Sequence, residues 1–431
     1  MRAHHPSGRG VPKLRYGIAL LLGAGVLINY FDRVNLSVAQ DALHTDLGID
    51  AVAFGVLSSA YSYTYAALQL PVGVLLDRYG VVALGRAGAL LWSIASFLTA
   101  AATSFATFFG ARLLLGIGEA PSFPANAKAT GYWFPRHERG LATAIFDSAA
   151  KLGTAIAIPL ISVVSFHFGW RGAFVFTGVL SFLFFLAFWA FYRNPSAETR
   201  LSDTERRYIV EGGAQPEGRT EASEGGRLGY LLRQRKVWGL TIGFSAYGYS
   251  FYLFLTWLPS YLSGSLHLGL IQSGWFAAVP WLIAAISDLV VGGWLVDYLI
   301  ERGFEPTAVR KTILVVGLLL GLAIVGATRT RDPAIATVWI SVALAGLAAS
   351  APIGWSIPAL IAPKGSVGSV SGIMNFFNNV MGIAAPTITG FIVGATNSFT
   401  NAFLAAAAFL LVGVVAYLFV LGKIEPIPDP A

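Results

Sequence analysis

The stretch Leu27-Ile28-Asn29-Tyr30-Phe31-Asp32-Arg33-Val34-Asn35 sets an acid beside a base, late in an apolar run that begins near Tyr16. Crossing a hydrocarbon core of ~30 Å takes ~20 apolar residues, and this run is long enough to be read as a membrane span. A charge at the centre of such a span costs about 2.5–3.5 kcal/mol on insertion scales, so Asp32 and Arg33 are read as a functional pair. The alternative is a self-neutralised pair that only fastens helices together.

Composition extends this reading to the whole chain. Of 431 residues, 55% are hydrophobic and 12% charged, and the mean hydropathy is +0.66. Soluble domains carry about 25% charged residues, so the class is a polytopic membrane protein with room for about twelve spans. The absence of cysteine excludes disulfides, thiolate metal sites and a Cys nucleophile, and six scattered histidines suggest no metal site. No cofactor is expected.

The net charge of +7 is distributed in a way that argues against nucleic acid. Lys and Arg cluster in alternate connections: Arg2, Arg9, Lys13 and Arg15; Arg78 and Arg86; Arg136 and Arg139; the stretch 193–236; Arg302, Arg310 and Lys311; Lys364; Lys423. The intervening connections hold only Arg171, Arg329 and Arg331. That asymmetry puts both termini and the central loop in the cytoplasm, the lipid bilayer of the inner (plasma) membrane being the surrounding partner. Ser37-Val38-Ala39 looks like a signal-peptide cleavage site, but the preceding run is too long and too charged, so an uncleaved first span is expected.

The chain divides into a cytoplasmic tail (1–15), six spans (16–192), a mixed-charge cytoplasmic linker (193–236), six more spans (237–422) and a second tail (423–431). The tight turn Gly73-Val-Leu-Leu-Asp77-Arg78-Tyr79-Gly80 follows the second span. Its pattern recurs at Gly293, Asp297, Arg302 and Gly303, at the same place in the second half. The expectation is an all-α fold of two six-helix bundles, a parallel repeat with its site at the bundle interface near the midplane. Pro121, Pro124, Pro159, Pro280, Pro352, Pro358 and Pro386 fall inside spans and predict kinks.

The fourth span carries Arg112 and Glu119, seven residues apart and so on one face about 10 Å from each other. Too far for a relaxed pair, they are spaced to hold a ligand or a switchable network. Gly116 and Gly118 between them predict close approach of another helix. In the fifth span Asp147 and Lys151 stand at i,i+4, either self-paired or offering a cation to an anionic substrate. The eleventh span holds Asn375, Asn378 and Asn379, of which Asn378 and Asn379 are candidate hydroxyl ligands; Tyr30, Tyr65, Gln69 and Trp257 are further candidates. Asp288 is the acid deep in the second half, read as a helix-packing residue or a second protonation site. Arg33, Arg112 and Lys151 balance Asp32, Glu119 and Asp147 only if every acid is ionised. Burial disfavours the charged form of a carboxyl while Arg stays charged, so protonating Asp32 or Glu119 leaves a positive cavity that attracts an anion. Proton and anion then bind in mutual support, which is the thermodynamic content of symport.

These motifs resemble the major facilitator superfamily, through Gly73 to Gly80 and its echo at Gly293 to Gly303. More closely they resemble its anion:cation symporter family. That likeness is carried by Asn29 to Arg33 with Asn35, Arg112 through Glu119 to Phe123-Pro124-Ala125, Trp133-Phe134-Pro135 with Glu138-Arg139, Gly169-Trp170-Arg171, and the linker Asn194-Pro195 with Leu201-Ser202-Asp203, Glu205 and Tyr208-Ile209. The resemblance covers essentially the whole chain and implies a monomeric importer of a small organic anion, such as galactonate, glucarate or a hexuronate. It further implies that Asp32 and Glu119 are protonatable, that Arg112 is essential to coupling, and that Arg33, Tyr65 and an Asn of the eleventh span face the substrate. Asp147 and Lys151 depart from the Phe-Asn-Ser pattern of sugar-acid importers. A dicarboxylate or aromatic acid is the alternative cargo. A proton/drug antiporter fits less well because the fifth span lacks the Gly-Pro-x-x-Gly-Gly signature, and a carrier-like sensor or an enzyme would need a domain this sequence does not display.

Overall fold

The computed structural model describes residues 12–135, 138–217, 228–363 and 366–429. Most of the first tail, part of the linker, Arg136, Lys364 and the side chain of Asp77 lie outside the described residues. The described chain is helical. In order it runs α1 (Leu14–Val38), α2 (Gln40–Leu47), α3 (Ala51–Ala100), α4 (Phe105–Glu119), α5 (Ser122–Trp133), α6 (Arg139–Phe191), α7 (Asp203–Glu211) and α8 (Leu228–Leu231). The second half adds α9 (Arg235–Leu266), α10 (Leu270–Ser287), a π-helical segment (Asp288–Leu295), α11 (Val296–Glu301), α12 (Pro306–Gly321), α13 (Ile324–Ala327), α14 (Pro333–Ile361), α15 (Val367–Thr396), α16 (Thr400–Val415) and a π-helical end (Ala416–Val420).

Two of these helices each contain two spans. The chain turns from one to the next at Gly80 (φ 78) in α3 and at Gly169 (φ 69) in α6. Both angles lie where a Cβ is unfavourable, so glycine permits a one-residue reversal. Gly303 (φ 91) is the counterpart of Gly80 in the second half. Arg78 and Arg302 lie over neighbouring tyrosines, Tyr79 and Tyr298. Counting both spans of α3 and α6, and α4 with α5 as one, twelve crossings result. The fourth span, expected as one helix, is broken between α4 and α5. Pro121 and Pro124 each lack an N–H and clash with the carbonyl four residues back, which ends α4 at Glu119.

The halves meet where α3 packs on α15, α6 on α10 and α1 on α9. At the end of the bundle opposite the termini the glycines at this contact leave no room for a side chain. A Cβ on Gly55 would lie 2.6 Å from Pro386 O, one on Gly390 2.5 Å from Ala51 O, and one on Gly274 2.6 Å from Ser162 Oγ. At the terminal end α5 packs on α1, α3 and α6, and α14 on its own half. The bundle is thus sealed at the far end.

At the terminal end Arg15 fastens three segments. It donates from Nε and Nη2 to Glu138 at 2.6 and 3.0 Å and from Nη1 to Glu205 at 3.0 Å. Glu205 also accepts from the amides of Leu14 and Arg15, and Tyr208 donates to Glu138 at 2.9 Å. The linker is pinned again by Arg200, which donates to Phe191 O of α6 at 2.9 Å and whose paired N–H groups hold the Glu198 carboxyl down to about 2. Replacing Arg15 by Met strands Glu205, whose side chain is fully buried, and an uncompensated buried charge of this kind costs about 3–5 kcal/mol. The expected outcome for Arg15→Met is a clearly lower melting temperature in detergent, restored in part by Arg15→Met/Glu205→Gln.

Candidate functional site

The site is built where α1 crosses α3 and α4. Gly116 lets α4 touch α3, since a Cβ there would sit 2.2 Å from Thr64 Oγ1 and 2.3 Å from Tyr61 O. This close approach, expected from the paired glycines, brings Tyr61 beside the charged residues of α1. Arg33 then donates from Nε and Nη2 to Glu119 Oε2 at 3.1 and 3.0 Å, and from Nη2 to the Tyr61 hydroxyl. Its guanidinium lies 4.7, 4.6 and 5.4 Å from the ring centroids of Tyr30, Tyr61 and Tyr65. A planar, weakly hydrated cation suits such an aromatic surround better than an ammonium does.

Glu119 is fully buried and its second oxygen, Oε1, has no partner among the described residues. It stands at the C-terminal end of α4, where the helix dipole disfavours negative charge unless a cation or a proton offsets it. Asp32, one residue before Arg33, points elsewhere: its carboxylate accepts from Ser96 at 2.7 Å and from Ser181 at 2.9 Å. Arg112 donates to the backbone oxygen of Asp32 at 3.2 Å, and its Nε is buried without a partner among the described residues. The seven-residue spacing of Arg112 and Glu119 therefore grips α1 at two points. Glu119 pairs with Arg33, and Arg112 with the backbone oxygen of Asp32.

A cavity of about 30 Å³ adjoins Arg33 and Arg112, bordered also by Ser58, Tyr61, Ser62 and Tyr252. A water needs ~10–15 Å³ on this measure, so the space holds about two waters and no six-carbon acid. Tyr252 donates to Asn379 Oδ1 at 3.4 Å, and Asn379 Nδ2 donates to Asn375 O at 2.9 Å. Neighbouring helical residues point about 100° apart, and the two asparagines meet α9 one turn apart: Asn379 at Tyr252, and Asn378 at Gly248, where a Cβ would lie 2.1 Å from its Oδ1. Tyr65 stacks on Tyr61 at 5.1 Å, and Gln69 donates to Tyr65 O at 3.3 Å. Trp257 lies away from this cavity, fully buried between Phe54 and Phe399.

Lys151 meets Asp147 at 2.8 Å, as the i,i+4 spacing expects, and also Asp288 of the other half at 3.1 Å. The balance of three bases against three acids thus becomes three against four. Four participants carry no signal in the sequence that separates them from packing residues: Ser96, Ser181, Tyr61 and, as a partner of Lys151, Asp288. Arg33→Gln leaves Glu119 buried and unpaired, at an expected cost of about 3–5 kcal/mol. Arg33→Gln/Glu119→Gln should recover most of it in a double-mutant cycle read by chemical unfolding, and the cost of the single variant should shrink at low pH, where a proton replaces the guanidinium. A single-variant cost equal at pH 5 and pH 8 would contradict this.

Residues 22–386 match the family model described as Major Facilitator Superfamily. The chain is 43% identical over 414 residues to an uncharacterized transporter, YybO, of Bacillus subtilis (strain 168), covering 96% of this chain and 95% of that one. It is 33% identical to a protein named a probable galactarate/D-glucarate transporter, GarP, of Escherichia coli (strain K12), covering 95% of each. Among solved structures, a bacterial homolog of the human lysosomal transporter Spinster superposes with a TM-score of 0.77 at 17% identity, covering 96% of this chain and 98% of that one, which shows a shared fold. With two bundles meeting along α3–α15 and α6–α10, and a charged site between helices of a transporter lineage, the chain belongs to the major facilitator superfamily and is a multi-pass membrane transporter rather than an enzyme.

Proposed function

We propose that this protein is a proton-coupled symporter that imports a sugar acid by alternating access, with both termini on the cytoplasmic side of the inner membrane. The observation that carries the reading is the Arg33–Glu119 ion pair at 3.0 Å, its acid buried and its base ringed by tyrosines. A cation held by a carboxylate is released when that carboxylate takes a proton, and is then available to a substrate carboxylate. Proton and anion therefore strengthen each other's binding by equal factors. The names of relatives such as GarP support a polyhydroxylated acid as cargo.

In the proposed cycle the far end opens with Glu119 and Asp32 protonated. The substrate carboxylate binds Arg33, assisted by the partnerless Nε of Arg112, while hydroxyls meet Tyr65, Tyr252 and Asn379. The halves then rock, the protons leave toward the cytoplasm, and Glu119 takes Arg33 back. The sealed far end and the cavity too small for substrate fit the stage after release. The working unit in this reading is one chain, since the site lies between its own halves.

In liposomes, Glu119→Gln should abolish accumulation of labelled D-glucarate driven by an acidic outside, yet spare counterflow exchange. Retained pH-driven accumulation would sink the assignment. A panel of aldonates, uronates, aldarates, dicarboxylates and aromatic acids at two pH values identifies the preferred acid. The seal makes a separate demand: Gly55→Leu should hold the far ends apart and slow uptake severely. Because the chain has no cysteine, spin labels at Thr45→Cys and Asn401→Cys report that separation directly, and an unlengthened distance in Gly55→Leu would contradict the expectation.

A further inference from the structure

The cluster of Asp147, Lys151 and Asp288 has no role in the cycle above. Lys151 stands on α6, in the first half, and Asp288 opens the π-helical segment of the second. Their side chains are 6% and 4% exposed, against 28% for Asp147. Two carboxylates thus face one ammonium, Asp147 from the same helix and Asp288 across the interface of the halves. Asp288 Oδ2 lies 3.1 Å from Lys151 Nζ, while Oδ1 is buried without a partner among the described residues. The other ionisable groups within electrostatic reach are Tyr247 of α9 and, beyond it, Tyr30 of α1. The α14 helix, packed on the π-helical segment, has no charged residue. That segment is held tightly: a Cβ on Gly292 would lie 2.7 Å from Ala349 O and 2.9 Å from Pro352. Isolated π-helical turns recur at functional positions because they re-aim one side chain, and here the turn begins at Asp288.

We propose that Asp288 is a further proton-carrying site, loaded when the halves part at the far end and emptied when Lys151 docks on it. Lys151 and Asp288 belong to different halves, so rocking changes their separation. Apart from Lys151, a buried carboxylate is held only as the neutral acid, since an isolated ionised one in low dielectric is very costly. Beside Lys151 the ionised form is favoured, and the step is a plain proton release: the Asp288 O–H bond breaks, the proton passes to water, and the carboxylate pairs with the ammonium. Asp147 keeps Lys151 charged and aimed throughout. A conformational change that alters proton affinity is driven in turn by the proton.

This inference rests on the symport reading, and the test separates the two. The ratio of protons to D-glucarate is read in liposomes from the accumulation reached against imposed pH and voltage gradients. Asp288→Asn should lower the ratio by one proton while counterflow exchange continues. Lys151→Gln should lower it equally, because Asp288 then keeps its proton through the cycle. An unaltered ratio in Asp288→Asn overturns the proposal, as does loss of counterflow in the folded variant. If Asp288→Asn, Lys151→Gln and the double variant all fail to fold, the pair is structural and the proposal is equally overturned. Retained pH-driven accumulation in Glu119→Gln would instead bring down the symport reading itself.

Discussion

A guanidinium in the middle of a membrane protein needs a partner, and the arrangement around Arg33 follows from how that need is met. Glu119 neutralises it, three tyrosine rings surround it, and the Tyr61 hydroxyl accepts from it. These groups come from α1, α3 and α4, so the pair also fixes how the three helices lie together. Asp32 cannot compete for Arg33, because the adjacent side chain leaves α1 in another direction and is satisfied by two serine hydroxyls. Adjacent acid and base in sequence are thus separate centres in space.

Close packing of backbone serves the same end. The Gly116 contact with Tyr61 and Thr64 sets the depth of Tyr61 beside Arg33, and the Gly55 and Gly390 contacts bring α3 onto α15. Without a hydrophobic driving force between helices in lipid, such contacts are held by dispersion and shape, which small residues maximise. Hydrogen bonds cross the same seam, where Ser59 Oγ of α3 lies 2.9 Å from Ile383 O and 2.7 Å from Thr387 Oγ1 of α15, so parting the halves breaks these as well.

The charge count changes character once Asp288 joins. Four acids against three bases cannot all be ionised without leaving a net negative, poorly solvated interior. Glu119 at a helix C-terminus and Asp288 at the start of a π-helical turn each have one oxygen without a partner among the described residues. These orphan oxygens mark where the interior is incompletely satisfied, and an incompletely satisfied buried acid is where a proton has most to offer.

The sequence by itself determined the class of fold: hydropathy counts the spans, the repeated Gly-x-x-x-Asp turns reveal two bundles, and buried charges nominate Asp32, Arg33, Arg112, Glu119 and Lys151. These are properties of single helices or of spacing along one helix, which periodicity records directly. It also foresaw the close approach at Gly116 and offered the Asp147–Lys151 pair as one of two readings, both local consequences of helical geometry. Which acid holds which base was decided by the tertiary structure alone. Arg33 reaches Glu119 across 86 residues, Asp32 reaches Ser181 across 149, and Lys151 crosses from one bundle to the other to meet Asp288. Likewise Asn379 rather than Asn378 turns toward Tyr252, and Trp257 belongs to the far-end core. Such pairings depend on the rotation and depth of whole helices, set by many weak packing contacts summed over the bundle, and no stretch of sequence carries that sum.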